Sequence, residues 1–467
     1  MFLPVERNAN SLMRSYCFLT VLLLTIMAGC VGTQTLVEPQ PAFELPEHFQ
    51  SQASASNTLP MDWVASFQDP QLQKLVDSVL AENYSLQIAA AKLDAAAAHA
   101  KQAGASLAPT INLGLQTGQA GTFSGASSTG SPSLGASVDI AWELDVWGRV
   151  RATSDAASQA FMAAEFDFAA ARVSLVAQTA KAYFFVIKTQ QLFELARASL
   201  DSYRQTAGVV QAFFDEGLVG IQDVSSARAQ TSNAEAVAES ARVAHVQALR
   251  SLEEFLGRYP EAAVDVAAQF PPLPAPAPVG LPSEVLERRP DIRAAEMRVA
   301  AAFDSVQAAK MARLPRLSLT GQAGGVGDDL ASIVNPSNLI WNAVTNLMFP
   351  LFDAGKLEAE VDAADANQRA ALAEYQKIAL RAFNEIESAL SLESSLRQQM
   401  HFYRNAYQEA YRAEQIGLET YRSGQGNLLD LQQLQRQTLA SKQALLDAEH
   451  AIFVQRVNLY LGLGGAF

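Results

Sequence analysis

The sequence predicts a mixed fold: two long antiparallel α-helical hairpins, packed as coiled coils, joined to four β-strands of a barrel that one chain alone cannot close. Three observations predict it. The chain is a tandem duplication, its longest stretches without Gly or Pro exceed any ordinary globular helix, and between them the hydrophobic period switches from helical to two.

The duplication is clearest at two reversals. Phe214 to Gln230 reads FDEGLVGIQDVSSARAQ and Tyr421 to Gln437 reads YRSGQGNLLDLQQLQRQ. Gly217 falls on Gly424, Asp223 on Asp430 and Gln230 on Gln437, with Ile221 and Val224 on Leu428 and Leu431, all 207 positions apart. Each copy joins two stretches free of Gly and Pro. It is therefore expected as a tight turn between helices, the first near 215–223 and the second near 422–430, with Gly217 or Gly424 supplying the permissive backbone.

Composition narrows the function classes. A chain of 467 residues has room for several domains or for one large duplicated unit. Its formal net charge of −14 argues against a nucleic-acid partner, which requires clustered Lys and Arg.

Residues 1–29 have the form of a removable signal. Arg7 and Arg14 precede an apolar run from Tyr16 to Met27, too short to span a bilayer. The run ends Ile26-Met27-Ala28-Gly29-Cys30, which resembles the lipobox of bacterial lipoproteins. That resemblance implies cleavage before Cys30, its acylation with palmitate, and, with no Asp after the cysteine, sorting to the outer membrane. With Cys17 removed and Cys30 acylated, no thiol remains for a disulfide or metal site.

Residues 30–68 are rich in Pro, Gln, Ser and Ala without a period and are expected as an extended strap. The first repeat, 69–257, opens with a helical run from Leu72 to Ala108 that stops at Pro109. Its counterpart in the second repeat, 284–467, runs from Pro290 to Leu314 and stops at Pro315.

After each proline the period becomes two. Leu134, Ala136, Val138, Ile140, Trp142, Leu144 and Val146 alternate with Ser133, Gly135, Ser137, Asp139, Ala141, Glu143 and Asp145. Four such strands are expected, at about 109–121, 133–147, 314–326 and 339–352, with outside loops from Thr122 to Pro132 and from Gly327 to Asn338. A soluble sandwich alternates in the same way. Here, however, the mature chain has no apolar run of helix-spanning length, and Trp142, Trp147 and Trp341 stand near strand ends like an interfacial girdle. Both point to a transmembrane β-barrel. Because even the smallest spanning barrels need about eight strands, four must be part of a barrel shared between chains.

The stretches Arg149 to Ala207 and Lys356 to Ile416 contain neither Gly nor Pro, and about 60 helical residues extend roughly 90 Å. In the second, Leu372, Tyr375, Ala379, Ala382, Ile386, Ala389, Leu396, Met400, Tyr403, Tyr407 and Ala410 form a coiled-coil seam interrupted by Glu393. In the first, Phe161, Phe168, Leu175 and Ala182 recur every seven residues, with Phe185 on the adjacent row. Shorter partners, Ile221 to Leu256 and Asn427 to Leu461, complete two hairpins, and the Pro-rich stretch 258–283 joins the repeats.

No catalytic signature competes with this architecture. His48, His99, His245, His401 and His450 have no metal-ligand spacing, and there is no G-x-S-x-G, phosphate-binding loop or cysteine pair, so neither an enzyme nor a cofactor or metal is expected. Arg288-Arg289-Pro290-Asp291 suggests an anion site, but Pro at a first helical position followed by an acid accounts for Pro290 and Asp291 as a helix start.

GLPSEVLERRPDIRAAE (Gly280 to Glu296), WELDVWGRVR (Trp142 to Arg151), PLFDAGK (Pro350 to Lys356) and the tip EGLVGIQDVSSARAQ resemble the outer-membrane efflux factors of the TolC family, in particular its OprM/NodT-like lipoprotein branch. The resemblance spans nearly the whole mature chain. It implies a homotrimer with a 12-stranded transmembrane β-barrel, a 12-helix periplasmic tunnel and an equatorial collar that includes the Pro-rich junction. It also implies the exit duct of a tripartite efflux system for small molecules such as drugs, working with a periplasmic adaptor (membrane fusion protein) and an inner-membrane transporter. In the family, a tyrosine before the second tip glycine hydrogen-bonds an aspartate at the first tip to hold the periplasmic end shut, which places the latch on Tyr421 and Asp223. Residues lining the constriction just past the second tip map to Asp430 and Gln433. Gly426 stands where some members carry an arginine, and Gln433 where many carry Asp. As first-turn helix acids, Asp223 and Asp430 also suit the helix dipole with no gating role. Two other roles share this architecture: a duct for type I protein secretion, and a lipid-anchored periplasmic scaffold without a pore.

Overall fold

The computed structural model describes residues 62–124, 127–277, 282–327 and 329–465, together with 41, 46, 49 and 50. The signal segment, Cys30 and the strap up to residue 61 lie outside the described residues, apart from those four positions. In chain order the helices are α1 (Pro70–Glu82), α2 (Tyr84–Ala105), α3 (Arg149–Asp215), α4 (Ile221–Phe255), α5 (Pro282–Arg288), α6 (Pro290–Met311), α7 (Leu330–Ile333), α8 (Lys356–Arg422) and α9 (Leu428–Gly462). The strands are β1 (Thr110–Ser124), β2 (Ser127–Leu144), β3 (Arg316–Gly327) and β4 (Leu339–Met348). The chain divides into two compact units.

One unit, built from Lys101–Ala156 and Ala300–Gln368, holds the sheet. Its strands are antiparallel in the order β1-β2-β3-β4, which leaves β1 and β4 as edges. Residues directly opposite one another share a face, so the register assembles whole rows. Leu113, Val138, Ala323 and Trp341 make one apolar row, and Asn112, Asp139, Gln322 and Asn342 one polar row. Within the polar row, Asn342 Nδ2 donates to Gln322 Oε1 at 3.3 Å. The apolar face has no cover in its own unit: Leu115 is 77% and Trp341 80% exposed.

Two differences from expectation have local causes. The segment expected as an outside loop from Thr122 to Pro132 continues the ladder down to Ser124↔Ser127, because ladder pairing uses backbone groups and requires no apolar side chain. Conversely, β2 and β4 end before residues 147 and 352. The Asp145 carboxylate accepts from the Val150 and Arg151 N–H groups at 2.9 and 2.8 Å, and Asp353 accepts from Gly355 and Leu357 at 3.0 and 2.9 Å. Each aspartate thereby caps a long helix, with Gly148 (φ +83°) and Gly355 (φ +85°) making the corner. Trp142 and Trp147 donate their indole N–H to the carbonyls of Leu107 and Pro315.

The other unit contains the hairpins. Both α3 and α8 run for 67 residues, about 100 Å of helix each, and both return helices, α4 and α9, run for 35. The main core is aromatic: Trp63 stacks on Tyr460 at 5.4 Å, and Phe184 packs on Phe453 at 4.8 Å, which in turn stacks on Phe270 of the Pro-rich junction. Trp63 precedes and Phe67 ends a short 3₁₀ turn at Ala65–Phe67, so the end of the segment expected as an extended strap folds into this core. Buried charge ties the junction down. Arg456, fully buried, donates to the carbonyls of Pro274 and Ala275, and the Glu253 carboxylate accepts from the Ala262 and Ala263 N–H groups, each at 2.7 Å.

Glu393, which interrupts the apolar seam, is buried and ion-paired with both Arg456 and Arg397. Phe185, expected on the row adjacent to the seven-residue stripe, is 44% exposed. The Arg289 guanidinium is occupied by Asp291, Glu385 and the Gly462 carbonyl, a structural clamp at the start of α6, and Arg288 pairs with Glu284.

Candidate functional site

The hairpin tips bring together most of the residues singled out from the sequence. At the first tip, Gly217 N–H donates to the Phe214 carbonyl at 2.9 Å and Leu218 N–H to Phe213 at 2.8 Å. At the second, Gly424 N–H donates to Tyr421 at 3.0 Å and Gln425 N–H to Thr420 at 3.1 Å. These paired bonds are the helix-ending motif that places its glycine in the left-handed region, and φ is +76° at Gly217 and +75° at Gly424. A methyl group added at either position would meet nothing within 4 Å, so backbone conformation alone asks for glycine.

The two tips are capped differently. Helix α4 begins after Gly220, which has no side chain to cap it, with Asp223 in its first turn. Helix α9 begins after Asn427, whose Oδ1 accepts from the Asp430 N–H at 2.8 Å and whose Nδ2 donates to Asp430 Oδ2 at 2.6 Å. Asp430 is thus part of a cap. It is also exposed, as is Gln433, which accepts from Arg436 at 2.8 Å.

Tyr421 is only 3% exposed. It sits in a small apolar cluster with Val210, Val224, Leu428 and Leu431, its ring 5.7 Å from that of Phe213. Its hydroxyl is buried without a hydrogen-bond partner among the described residues. Burial raises its pKa, and the negative charge of Asp223 raises it further. The structure therefore brings Tyr421 and the half-buried Asp223 together without a hydrogen bond between them, while Asp430 and Gln433 lie on the exposed side of α9.

Sequence reasoning missed the polar side chains facing inward between the hairpins. Ser226 bonds Gln432 at 3.3 Å, and Gln435 Nε2 donates to Ser202 Oγ at 3.0 Å and to Thr206 Oγ1 at 2.9 Å. Ser202 Oγ donates to Glu414 at 3.2 Å. A signal for Glu414 was present: it stands four residues after Ala410 and so continues the coiled-coil seam. Among the described residues, no group of three His, Cys, Asp or Glu side chains could hold a metal ion.

A family model described as outer membrane efflux protein matches residues 75–258 and 281–465, one segment per repeat. The chain is 29% identical over 475 residues to the antibiotic efflux pump outer membrane protein ArpC of Pseudomonas putida, covering 96% of each. It is 30% identical over 440 residues to the toluene efflux pump outer membrane protein TtgC of Pseudomonas putida, covering 90% of this chain and 88% of that one. With the cation efflux system protein CusC of Escherichia coli K12 it shares 28% over 438 residues, covering 91% and 94%. Among solved structures it resembles the outer-membrane channel OprN (TM-score 0.86, 27% identity, 94% and 99% covered) and the open state of the Neisseria gonorrhoeae MtrE outer membrane channel (TM-score 0.82, 28% identity, 93% and 98% covered).

Proposed function

The chain belongs to the outer membrane efflux protein family, and from that premise we propose that it is the outer-membrane exit duct of a tripartite efflux system, a channel and not an enzyme. Three copies form the duct, anchored through acylated Cys30. They work with a periplasmic adaptor and an inner-membrane transporter to export small molecules, as the names of relatives acting on antibiotics, toluene and cations suggest.

What carries this role is the four-stranded sheet. It pairs an exposed apolar face with a polar one and leaves β1 and β4 each paired on one side only among the described residues. In hydrocarbon every backbone N–H and C=O must be satisfied, so a spanning sheet has no open edge. Four strands cannot close on themselves, whereas three chains supplying four each give a lipid-facing barrel with a polar lumen. The tips are the periplasmic gate of this duct. Asp223 and Tyr421 latch it, and Asp430 and Gln433 line the constriction, with Gly217 and Gly424 holding the turns.

The test is the oligomeric state of the acylated protein extracted from outer membranes. Light scattering in detergent should give a trimer, and its band on a gel should shift on heating. A well-folded monomer would contradict the shared barrel and favour a lipid-anchored scaffold without a pore. Replacing Cys30 with Ala abolishes palmitate incorporation, and label persisting on the variant would refute the anchor.

A further inference from the structure

We propose that the buried polar rung formed by Glu414, Ser202, Gln435 and Thr206 positions the tips by weakening the packing of α3 against α8 and α9, so that it sets how readily the tips separate. This rests on the assignment of the tips as the gate.

The rung is incompletely satisfied. Gln435 is 4% exposed; its Nε2 donates to Ser202 and Thr206, but its Oε1 is buried without a hydrogen-bond partner among the described residues. Glu414 is 9% exposed, and its carboxylate accepts from Ser202 Oγ with no ion pair among the described residues. Glu393, in the same seam, makes the contrast: two arginines neutralise it. Glu253, likewise buried, accepts two backbone N–H groups. The chain thus satisfies its buried carboxylates beside the aromatic core and leaves the one nearer the tips with a single hydroxyl donor.

A buried acceptor that has lost water without gaining a partner disfavours the packed state, and a low local dielectric sharpens the cost. Separating α3 from α8 and α9 returns the Gln435 carbonyl and the Glu414 carboxylate to water. The apolar cluster around Tyr421 pulls the tips together, and the rung opposes it. The rung also fixes register, because Gln435 reaches two hydroxyls one helical turn apart on α3.

Hydrogen–deuterium exchange of the full-length detergent-solubilised protein tests this, read on peptides from 200–215 and 410–440. Gln435→Leu should slow exchange there by about tenfold, the size expected when one unsatisfied buried group is removed. Glu414→Gln, which keeps the shape, should slow it in the same direction. Ser202→Ala removes the hydroxyl that donates to Glu414 and should speed exchange several-fold, while peptides around Phe184 and Phe453 stay at the wild-type rate. Unchanged or faster exchange in both Gln435→Leu and Glu414→Gln would overturn the proposal. Single-channel conductance of the same variants reads the gate separately. Slower exchange with unchanged conductance would uphold the rung and refute the tips as the gate.

Discussion

His450 lies against the ring of Phe185, with centroids 5.8 Å apart, beside the Lys188–Asp447 ion pair. Burial pushes its imidazole down to about 4; the Lys188 ammonium adds to the effect and Asp447 opposes it. Unfolding restores an ordinary imidazole near pKa 6.5, so as pH falls the unfolded chain takes up the proton first. The stabilisation is complete above about pH 6.5 and declines from there toward pH 4. Chemical denaturation should show at most about 2 kcal/mol lost between pH 7 and 5, and His450→Gln should flatten that slope. Asp430 poses a different question, because its bonds with Asn427 show a cap whatever else it does. If three Asp430 carboxylates ring the closed tip, Asp430→Ala lowers cation selectivity and weakens block by divalent cations in planar bilayers. A cap alone would cost about 0.5–2 kcal/mol and leave selectivity unchanged. Sequence reasoning reached the two tip glycines because the repeat marks them twice, and singled out Asp223 and Tyr421 through the resemblance of the tips to the TolC family. It could not show that the Tyr421 hydroxyl is unbonded, since that depends on packing by Val210, Val224 and Leu431 from other helices.

Helices and strands were legible where a periodic pattern had to be kept over many residues. The 207-residue offset holds in the backbone itself, since Gly257 and Gly464 repeat the left-handed helix ending seen at Gly217 and Gly424. Pattern failed where polar residues do structural work. Glu393 looked like an interruption of the seam, yet it joins α8 to α9 and, through Arg456, to the Pro-rich junction. Replacing Glu393 alone with Leu leaves Arg456 buried and uncompensated, which should cost about 3–5 kcal/mol in thermal or urea unfolding. The double variant Glu393→Leu/Arg456→Met should recover most of that loss. A double variant as unstable as the single one would show that the Arg456 bonds to Pro274 and Ala275 matter more than the ion pair. The Gly- and Ser-rich stretch after Thr122 failed for the opposite reason: its composition signals a loop, while its backbone continues the β1–β2 ladder.

For the whole molecule, the two sheet edges and the proposed gate at the tips make the same demand. An apolar sheet face with unpaired edges requires neighbours in a membrane, and the proposed constriction, with one Asp430 per chain, would require neighbours around an axis. Conduction through the reconstituted trimer tests this duct most directly. Single-channel recording in planar bilayers should show discrete steps of small conductance for the wild type. Tyr421→Phe combined with Asp223→Ala should raise that conductance several-fold while the trimer stays intact. A folded, membrane-inserted trimer that passes no current in either form would contradict the duct.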